Sequence, residues 1–527
     1  MGSAFPRETI PTPRRSEGPR PQGPLRRLRS NWLDGVKHGD NSQPALTAAM
    51  LALAIALRLW ALGPFSMHHP DEIFQYLEPA HRIAFGSGVE TWEFREGMRG
   101  WLIPVVLSKL MLVGNLIAPD SRLYLLLPQL AVAALSLTIP CSAYAIGFRL
   151  SRAHALVALA VTSIWFEAVY FSVHVLSEQI SVALFLPAAA LMLADRPGDR
   201  RRYAIAGLLL GLAVATRFHN GPAIVAFAVM TCGTDVRRKW LPLVLGAGAA
   251  GVAAAAADLS QGTIPFSWIV ANVEQNVVQG QAATFGLRSP VFYLGALGVY
   301  WGWALPLLLL AIRPAVARHR ALFVAALVNV GLLSMIGHKE YRFILLSTTI
   351  LLLLAALGSV DLVRAWNAKR GRSTPTIAWV ALVLAWATGS AALAANANMR
   401  PRWTDHSPEL TLMAKAARLP SLCGLALHKQ AFWQSGGYTH LHRAVPLHVQ
   451  YPAFQPGGDT RFWASSAAFD AVITPDSASP AVPGSYRITA CRGTGGERMC
   501  LMRRSGGCDP DAARDLALPA VMRRHNL

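Results

Sequence analysis

Two short stretches of the 527-residue chain gather the residue types that acid–base and phosphate chemistry require. The first reads His68-His69-Pro70-Asp71-Glu72-Ile73-Phe74-Gln75-Tyr76-Leu77-Glu78-Pro79-Ala80-His81 and continues through Thr91-Trp92-Glu93 to Arg99-Gly100. Adjacent carboxylates after a proline, at the mouth of an apolar run, lie where water meets lipid headgroups. Partial burial there raises a carboxyl pKa and a nearby cation lowers it. Asp71 and Glu72 are therefore candidates for a general base that takes a proton from a hydroxyl. The plainer alternative is helix capping, for which Asp is a favoured residue. The accumulation of His69, Gln75, Glu78, His81, Glu93 and Arg99 in one loop, with Tyr76 and Trp92 beside them, favours a site.

The second stretch is Gly337-His338-Lys339-Glu340-Tyr341-Arg342-Phe343, between two apolar runs. Arg grips phosphate oxygens bidentately, and Lys or His adds positive charge. His338, Lys339 and Arg342 thus read as an anion-binding group. The alternatives are internal pairing with Glu340 or snorkelling to the interface. Weaker signals are Glu178, which follows His174 near the start of an apolar segment, and Arg217-Phe218-His219-Asn220, which breaks another. The downstream histidines His428, His440, His442 and His448 lack a spacing that fixes a metal and read as scattered surface residues. No P-loop, dinucleotide fingerprint, serine elbow or zinc-protease helix is present.

The elements that must position these residues are membrane helices. Hydrophobic residues make up 53% of the chain and charged residues only 15%, against about 25% charged in soluble domains. Mean hydropathy is +0.35. An ordinary soluble enzyme, a collagen and a disordered chain are excluded. The net charge of +20 sits in short clusters near 196–202, 237–239, 313–320 and 364–372. Topology determinants have that pattern, so nucleic acid is not an expected partner.

Residues 1–43 read as a disordered cytoplasmic tail, 44–395 as a membrane body with an external loop at 64–100, and 396–527 as an extracytoplasmic domain. The first span covers 44–62, and about 11 to 13 spans are expected, each of roughly 20 residues. With the basic clusters inside, the loop 64–100, Glu178, 258–289, the His338 cluster and everything after 396 fall outside. One conflict remains. Arg149 and Arg152 also belong inside, which leaves one crossing too many between 101 and 148. Either a segment there is re-entrant or interfacial, or the cluster is misplaced. Beyond 396, alternating runs such as Ala471-Val472-Ile473 and Tyr486-Arg487-Ile488 predict a small α/β or β-rich domain. Its four cysteines, Cys423, Cys491, Cys500 and Cys508, fit two disulfides in an oxidising compartment, in any of three pairings. Cys141 and Cys232 read as small core residues.

His69-Pro70-Asp71-Glu72-x-x-Gln75-x-Leu77-Glu78-x-Ala80-His81, with Gly86-x-Gly88-x-x-Thr91-Trp92-Glu93 and Arg99-Gly100, closely resembles the first lumenal loop of the family 22 glycosyltransferases. These are lipid-phosphate-mannose-dependent α-mannosyltransferases, and the likeness is nearest to those of GPI assembly. His338-Lys339-Glu340-x-Arg342-Phe343 resembles the family's second signature, whose usual form is His-Lys-Glu-Glu-Arg-Phe; here Tyr341 replaces the second Glu. Arg217 resembles a family Arg followed by Pro-Thr, from which Phe218-His219 departs. The resemblance covers roughly residues 45–395.

The resemblance implies a GT-C fold, an all-α polytopic membrane protein with its active site on the outer leaflet, using mannose carried on polyprenyl or dolichyl phosphate. On that footing Asp71 is the base, with Glu72 beside it, and Glu72 and Glu78 position sugar hydroxyls. Attack on the anomeric carbon inverts a β-linked mannose to an α-mannoside. His338, Lys339 and Arg342 stabilise the departing phosphate. His69, Gln75, Glu78, Trp92, Glu93, Arg99, Arg217 and Glu340 bind substrate. A monophosphate leaving group demands no cofactor, although Asp71 and Glu72 could also hold a divalent cation. The expected partners are the lipid-linked donor, a glycan or glycolipid acceptor and the bilayer. Transfer of another lipid-linked sugar, or to protein hydroxyls, is the runner-up. A transporter is disfavoured, because the polar clusters lie at helix ends and no inverted repeat appears. The Ala- and Arg-rich composition favours a bacterial inner membrane with a periplasmic site; in a eukaryote the endoplasmic reticulum membrane would be the place.

Overall fold

The computed structural model describes residues 42–63, 65–194, 199–451, 458–509 and 511–525. Residues 1–50 form one unit of the chain and residues 51–527 a second. The expected tail lies outside the described residues, apart from Ser42 and Gln43, which open the first helix, Ser42–Ala61.

Charge-free runs of Leu, Ala and Val bury their backbone polar groups internally, as a bilayer demands of any spanning segment. Six helices are long and apolar enough to cross a membrane: Pro44–Ala61, Leu123–Phe148, Val236–Ser260, Phe292–Val316, Tyr341–Ala368 and Thr376–Ala394. The bent pair Arg152–Ile164 and Phe166–Val173 makes a seventh, and four shorter apolar helices lie among them. The protein is a multi-pass membrane protein. Helix Tyr341–Ala368 is its centre, with 89% of its most apolar stretch enclosed by neighbours. Helices Arg200–Thr216 and Leu241–Ser260 approach so closely that a Cβ on Gly207 would collide with the Leu243 carbonyl, and one on Gly246 with that of Ala204. Small residues at such crossings let backbones meet where no hydrophobic force drives helices together.

Polar contacts mark the two ends of the bundle. At one end Arg318 pairs with Asp361, whose Oδ1 lies 3.1 Å from His154 Nε2, and Arg364 donates to the Ser151 hydroxyl at 2.7 Å. Arg149 donates to the Ala190 carbonyl at the same end. The motif residues and a β-sheet domain occupy the other end.

The conflict over residues 101–148 resolves in favour of an interfacial segment. Helix Leu102–Ile117 begins beside Asp258, which accepts the Trp101 N–H at 3.0 Å. It ends at a turn where the Arg122 guanidinium sits 4.6 Å from the Phe65 ring centre. The next residues are again at the sheet domain, where Tyr124 donates to the Thr439 carbonyl at 2.6 Å. Both ends of this helix therefore lie at the motif-bearing end, and it runs along the bundle without crossing. The crossing that follows, Leu123–Phe148, delivers Arg149 and Arg152 to the end that holds Arg318 and Arg364.

The sheet domain contains β1 (Leu425–His428), β2 (Leu447–Gln450), β3 (Ala471–Pro475), β4 (Arg487–Arg492) and β5 (Met499–Arg503), in the order β2-β1-β3-β5-β4. β2, β1 and β3 are parallel and buried, as strands covered on both faces must be, while β5 and β4 run antiparallel. The two expected disulfides are Cys423–Cys508 and Cys491–Cys500. The second joins paired positions of β4 and β5. Two expectations fail. Cys232 is buried but Cys141 is exposed, on the outward side of its helix. His428, His440 and His448 are not surface residues: His428 is fully buried and 2.9 Å from the Thr474 hydroxyl. They fill space between strands and helices that apolar periodicity alone would assign to a hydrophobe.

Cys423–Cys508 closes an 85-residue separation. Replacing both cysteines by serine should destabilise the sheet domain by about 4 kcal/mol, because the unfolded chain regains loop entropy. Limited proteolysis during a thermal ramp should show that domain opening earlier while the helical circular dichroism signal of the membrane body persists.

Candidate active site

The site begins with a local disruption of helical geometry. Pro79 has no N–H to return to the carbonyl of Gln75 four residues back, and the preceding turn, Glu72–Leu77, widens to π-helical spacing before helix Glu78–Phe85 resumes. Such wide turns recur at functional sites. All six residues of the turn are buried. Asp71 stands immediately before it, and its carboxylate makes no cap hydrogen bond. The capping alternative is thereby removed.

The Asp71 carboxylate instead faces across the bundle end. It accepts from Arg342 and lies 3.2 Å from His69 Nδ1. The Arg342 side chain is only 2% exposed and is shared among carboxylates of separate elements. Its Nε is 2.7 Å from Glu340 Oε2, and its Nη1 is 3.4 Å from Glu178 Oε1. Glu178 also holds Arg217 at 3.2 Å. The Phe343 ring lies between the two guanidinium groups, with centre distances of 4.8 Å to Arg217 and 5.2 Å to Arg342. His338 Nε2 sits 3.0 Å from the other oxygen of Glu340.

Burial pushes the Asp71 carboxyl up, but Arg342 and His69 outweigh it and hold the group well below the usual carboxylate range. Glu340 is held low in the same way, by Arg342 and His338 against its burial. Burial lowers His69, and Asp71 more than compensates, so its pKa is raised. His338 is raised chiefly by its hydrogen bond with Glu340.

A second chain of contacts extends from the turn. Gln75 donates to Glu93 at 3.1 Å, and Arg99 Nη2 meets the same Glu93 oxygen at 2.5 Å. Trp92 stacks with Phe285 at 6.1 Å between centres, and Phe285 meets His338 edge-on at 6.0 Å. Between Gln75, Arg99, Arg217 and Trp268 lies a narrow cavity of about 40 Å³.

The structure brings His69, Asp71, Glu178, Arg217, His338, Glu340 and Arg342 into one contact network, with Gln75, Trp92, Glu93 and Arg99 on its flank. Three expected site residues point elsewhere. Glu72 accepts the His68 N–H at 2.7 Å and faces His174 Nδ1 at 2.9 Å, so both its oxygens are engaged on the side away from Asp71. The two adjacent carboxylates thus have different partners. Lys339 is buried, donating to the carbonyls of Arg288 (at 3.1 Å) and Ile336, where it ties two loops together. Glu78 is fully buried at the seam with the sheet domain. It accepts from the Val89 N–H at 2.6 Å, the Thr439 N–H at 2.5 Å and the Thr439 hydroxyl at 2.9 Å. Gly437, at φ +56°, brings its backbone against this carboxylate, where a Cβ would collide with Glu78 Oε1.

Two acidic residues escaped the sequence reading. Asp258 accepts from the N–H groups of Trp101 and Phe266 and from the Trp268 indole, which lies 3.2 Å away. Glu167 accepts from Tyr341 and, at 3.1 Å each, from the indoles of Trp165 and Trp301. Each is an ionisable residue inside an apolar run, the signal that could have drawn attention to it.

The sequence profile of the Alg9-like mannosyltransferase family matches residues 49–400. The chain is 29% identical over 344 residues to GPI mannosyltransferase 3 of Yarrowia lipolytica, covering 59% of this chain and 62% of that one. It is 26% identical over 283 residues to GPI alpha-1,2-mannosyltransferase 3 of Mus musculus, covering 52% of each. The matched region thus spans less than two thirds of either relative's length. Among solved structures, ArnT from Cupriavidus metallidurans bound to undecaprenyl phosphate superposes with a TM-score of 0.54 at 14% identity, covering 88% of this chain and 99% of that one. That likeness shows the GT-C fold.

Burial raises the Glu78 carboxyl to about 7, from an ordinary 4.5. The native state therefore holds a proton that the unfolded chain has released, and stability falls as pH rises between those values. Wild-type protein should lose stability from pH 5 to pH 8, and Glu78→Gln should lack that contribution. Glu78→Ala, which leaves three buried donors unpaired, should cost about 3 kcal/mol at pH 5 and progressively less as pH rises and the wild type loses its own stability. Thermal denaturation across that range checks all three.

Proposed function

Since the chain belongs to the Alg9-like mannosyltransferase family, we propose that it is a membrane α-mannosyltransferase. It moves mannose from a polyprenyl- or dolichyl-phosphate carrier to a hydroxyl of a glycan or glycolipid, with inversion. The observation that carries this reading is the contact between Asp71 and Arg342, 271 positions apart in the chain and joined at one end of the bundle. A base for the incoming hydroxyl and a cation for the outgoing phosphate are needed within one sugar–phosphate bond of each other, and this pair meets that need. Undecaprenyl phosphate, the lipid bound by the ArnT structure, belongs to the same carrier class.

The residues act in turn as follows. The carboxylates of Asp71, Glu178 and Glu340 surround Arg342. An arriving donor phosphate is a further anion, and it draws the Arg342 fork away from Asp71. The freed carboxylate loses its strongest stabilising charge and becomes a better proton acceptor. As the acceptor hydroxyl attacks the anomeric carbon, its proton passes to Asp71 and the sugar–phosphate bond breaks. The charge left on the carrier phosphate is met by Arg342, with Arg217 and protonated His338 and His69 close by. Preorganised cations of this kind stabilise developing charge at little reorganisation cost. Gln75, Glu93 and Arg99 line the acceptor side, and Trp92 offers an aromatic face to a sugar ring. The reacting face lies outside the cytoplasm, in keeping with two disulfides in the sheet domain at that end. In a bacterial cell this is the periplasmic face of the inner membrane.

Asp71→Asn should reduce turnover by about 10³-fold or more while the lipid-phosphate carrier still binds. Purified protein given radiolabelled polyprenyl-phosphate mannose and a panel of glycan acceptors measures both. Turnover near wild type in that variant would remove Asp71 as the base.

The pH profile carries a second expectation. Asp71 is ionised throughout the neutral range, so the acid limb should be shallow. The cationic forms of His69 and His338 are held above their ordinary value of 6.5. Their charge, and its help to the leaving phosphate, is lost as pH rises through those raised values. kcat/KM should therefore fall on the alkaline side, and His338→Gln should flatten that limb more than it lowers the plateau.

A further inference from the structure

A second cavity, of about 440 Å³, opens between the start of helix Leu123–Ser136 and the sheet domain, and none of its lining residues belongs to the Asp71–Arg342 network. Three guanidinium groups converge on it, from Arg122, Arg418 and Arg443, together with His440 and His442 and one carboxylate, Asp120. Arg122 rests its guanidinium over the Phe65 ring at 4.6 Å. Among the described residues, no carboxylate oxygen comes within 4 Å of Arg122 or Arg418, although most other arginines near the site described above are paired. Arg443 spends one terminal nitrogen on the carbonyls of Ala417 and Leu419, at 3.3 Å and 2.5 Å, and so fixes the turn that presents Arg418.

Like charges gathered in one cavity repel. Burial, and then Arg418, hold the Arg122 pKa below its ordinary value. An anion placed between the two groups would relieve that repulsion, and a guanidinium pair is suited to two oxygens of one phosphate. The neighbouring surface is apolar. Leu116 is 81% exposed and Ile117 66% exposed, at the end of the helix that leads into the cavity's rim. On an interfacial helix beside the start of the Leu123–Phe148 span, such exposed apolar side chains face acyl chains.

We propose that this cavity binds the phosphodiester headgroup of a membrane lipid, with the phosphate between Arg122 and Arg418 and the acyl chains against Leu116 and Ile117. The site is separate from that of the sugar donor and does not depend on the transferase reading. It joins the sheet domain to the bilayer, because His440 and His442 lie on or beside the short helix Gly437–Leu441 that Glu78 holds from the other side.

The test uses the full chain, delipidated in a neutral maltoside detergent, with native mass spectrometry as the readout. Three probes are titrated: dioleoyl-phosphatidylglycerol, dioleoylglycerol, which lacks the phosphate, and inorganic phosphate. Phosphatidylglycerol should bind. The double variant Arg122→Ala/Arg418→Ala should weaken it by about tenfold or more, as expected for loss of two charge-assisted contacts. Arg122→Lys/Arg418→Lys should retain most of the affinity. If the double alanine variant fails to fold, Arg418→Gln alone, at an exposed side chain, should still give a clear loss. Unchanged phosphatidylglycerol binding in these variants would overturn the proposal, as would equal binding of dioleoylglycerol. Inorganic phosphate bound as tightly as the lipid, with the same sensitivity to substitution, would mean a soluble phosphate ligand and would also overturn it.

Discussion

The Arg342 guanidinium is the constraint to which the rest of the motif-bearing end is fitted. A charge enclosed in protein is tolerated only when its field is neutralised and its donors are occupied. Here the neutralising groups come from the first loop (Asp71), from the start of helix Ser177–Met192 (Glu178) and from the residue two positions before Arg342 itself (Glu340). Each of those elements must therefore hold a register that keeps its carboxylate on Arg342. Arg217 shares Glu178 and the face of Phe343, so a fourth segment is drawn in. Arg342 itself meets three carboxylates, more than its single charge requires. Those three contacts tie the helices together.

The same end also joins the sheet domain to the membrane body, and Glu78 makes that junction. Glu78 belongs to the motif loop but turns outward, capturing Thr439 and Val89, and Gly437 makes room for it. Asp258 clamps Trp101 and Trp268 together on the opposite side of the pocket. The Glu72–Leu77 turn is thus held between two buried acids. Its conformation depends on the sheet domain and on the loop after helix Leu241–Ser260 as much as on its own sequence.

Much of this was legible in the residue order, because the signals were local. The uncharged runs marked the helices, the basic clusters marked one end, and the family resemblance led one to expect Asp71 and the downstream cations at one outer pocket, where Arg342 now meets Asp71. What could not be read depended on direction. Lys339 and Arg342 lie three residues apart in one cationic cluster, yet one faces loop carbonyls and the other faces Asp71. Asp71 and Glu72 are neighbours with different partners, the first facing Arg342 and the second the His68 N–H and His174. Leu102–Ile117 has the composition of a span but the anchoring of an interfacial helix. Only the contacts of its two ends, with Asp258 on one side and beside Phe65 and Tyr124 on the other, distinguish the two cases. His428, His440 and His448 looked like surface residues because a polar type suggests solvent, yet they are buried, and Thr474 and the Phe462 ring accommodate His428.

Position 341 shows how a departure from a family pattern can be absorbed. The motif elsewhere carries a glutamate there, and this chain carries Tyr341, 6% exposed and stacked on Tyr300 with centres 3.8 Å apart. A buried phenol needs an acceptor, and Glu167 supplies it while also accepting the indoles of Trp165 and Trp301. A glutamate at 341 beside Glu167 would set two carboxylates against each other in an enclosed space, with only indole donors to hold them. The acid at this level of the bundle is therefore borne by residue 167, and the phenol at 341 is its hydrogen-bonded complement. Tyr341 is turned toward Glu167, while the next residue, Arg342, reaches Asp71. The two halves of the motif thus divide the work. His338, Glu340 and Arg342 face the pocket. Tyr341, with Lys339 on its loop carbonyls, fixes the backbone that aims them.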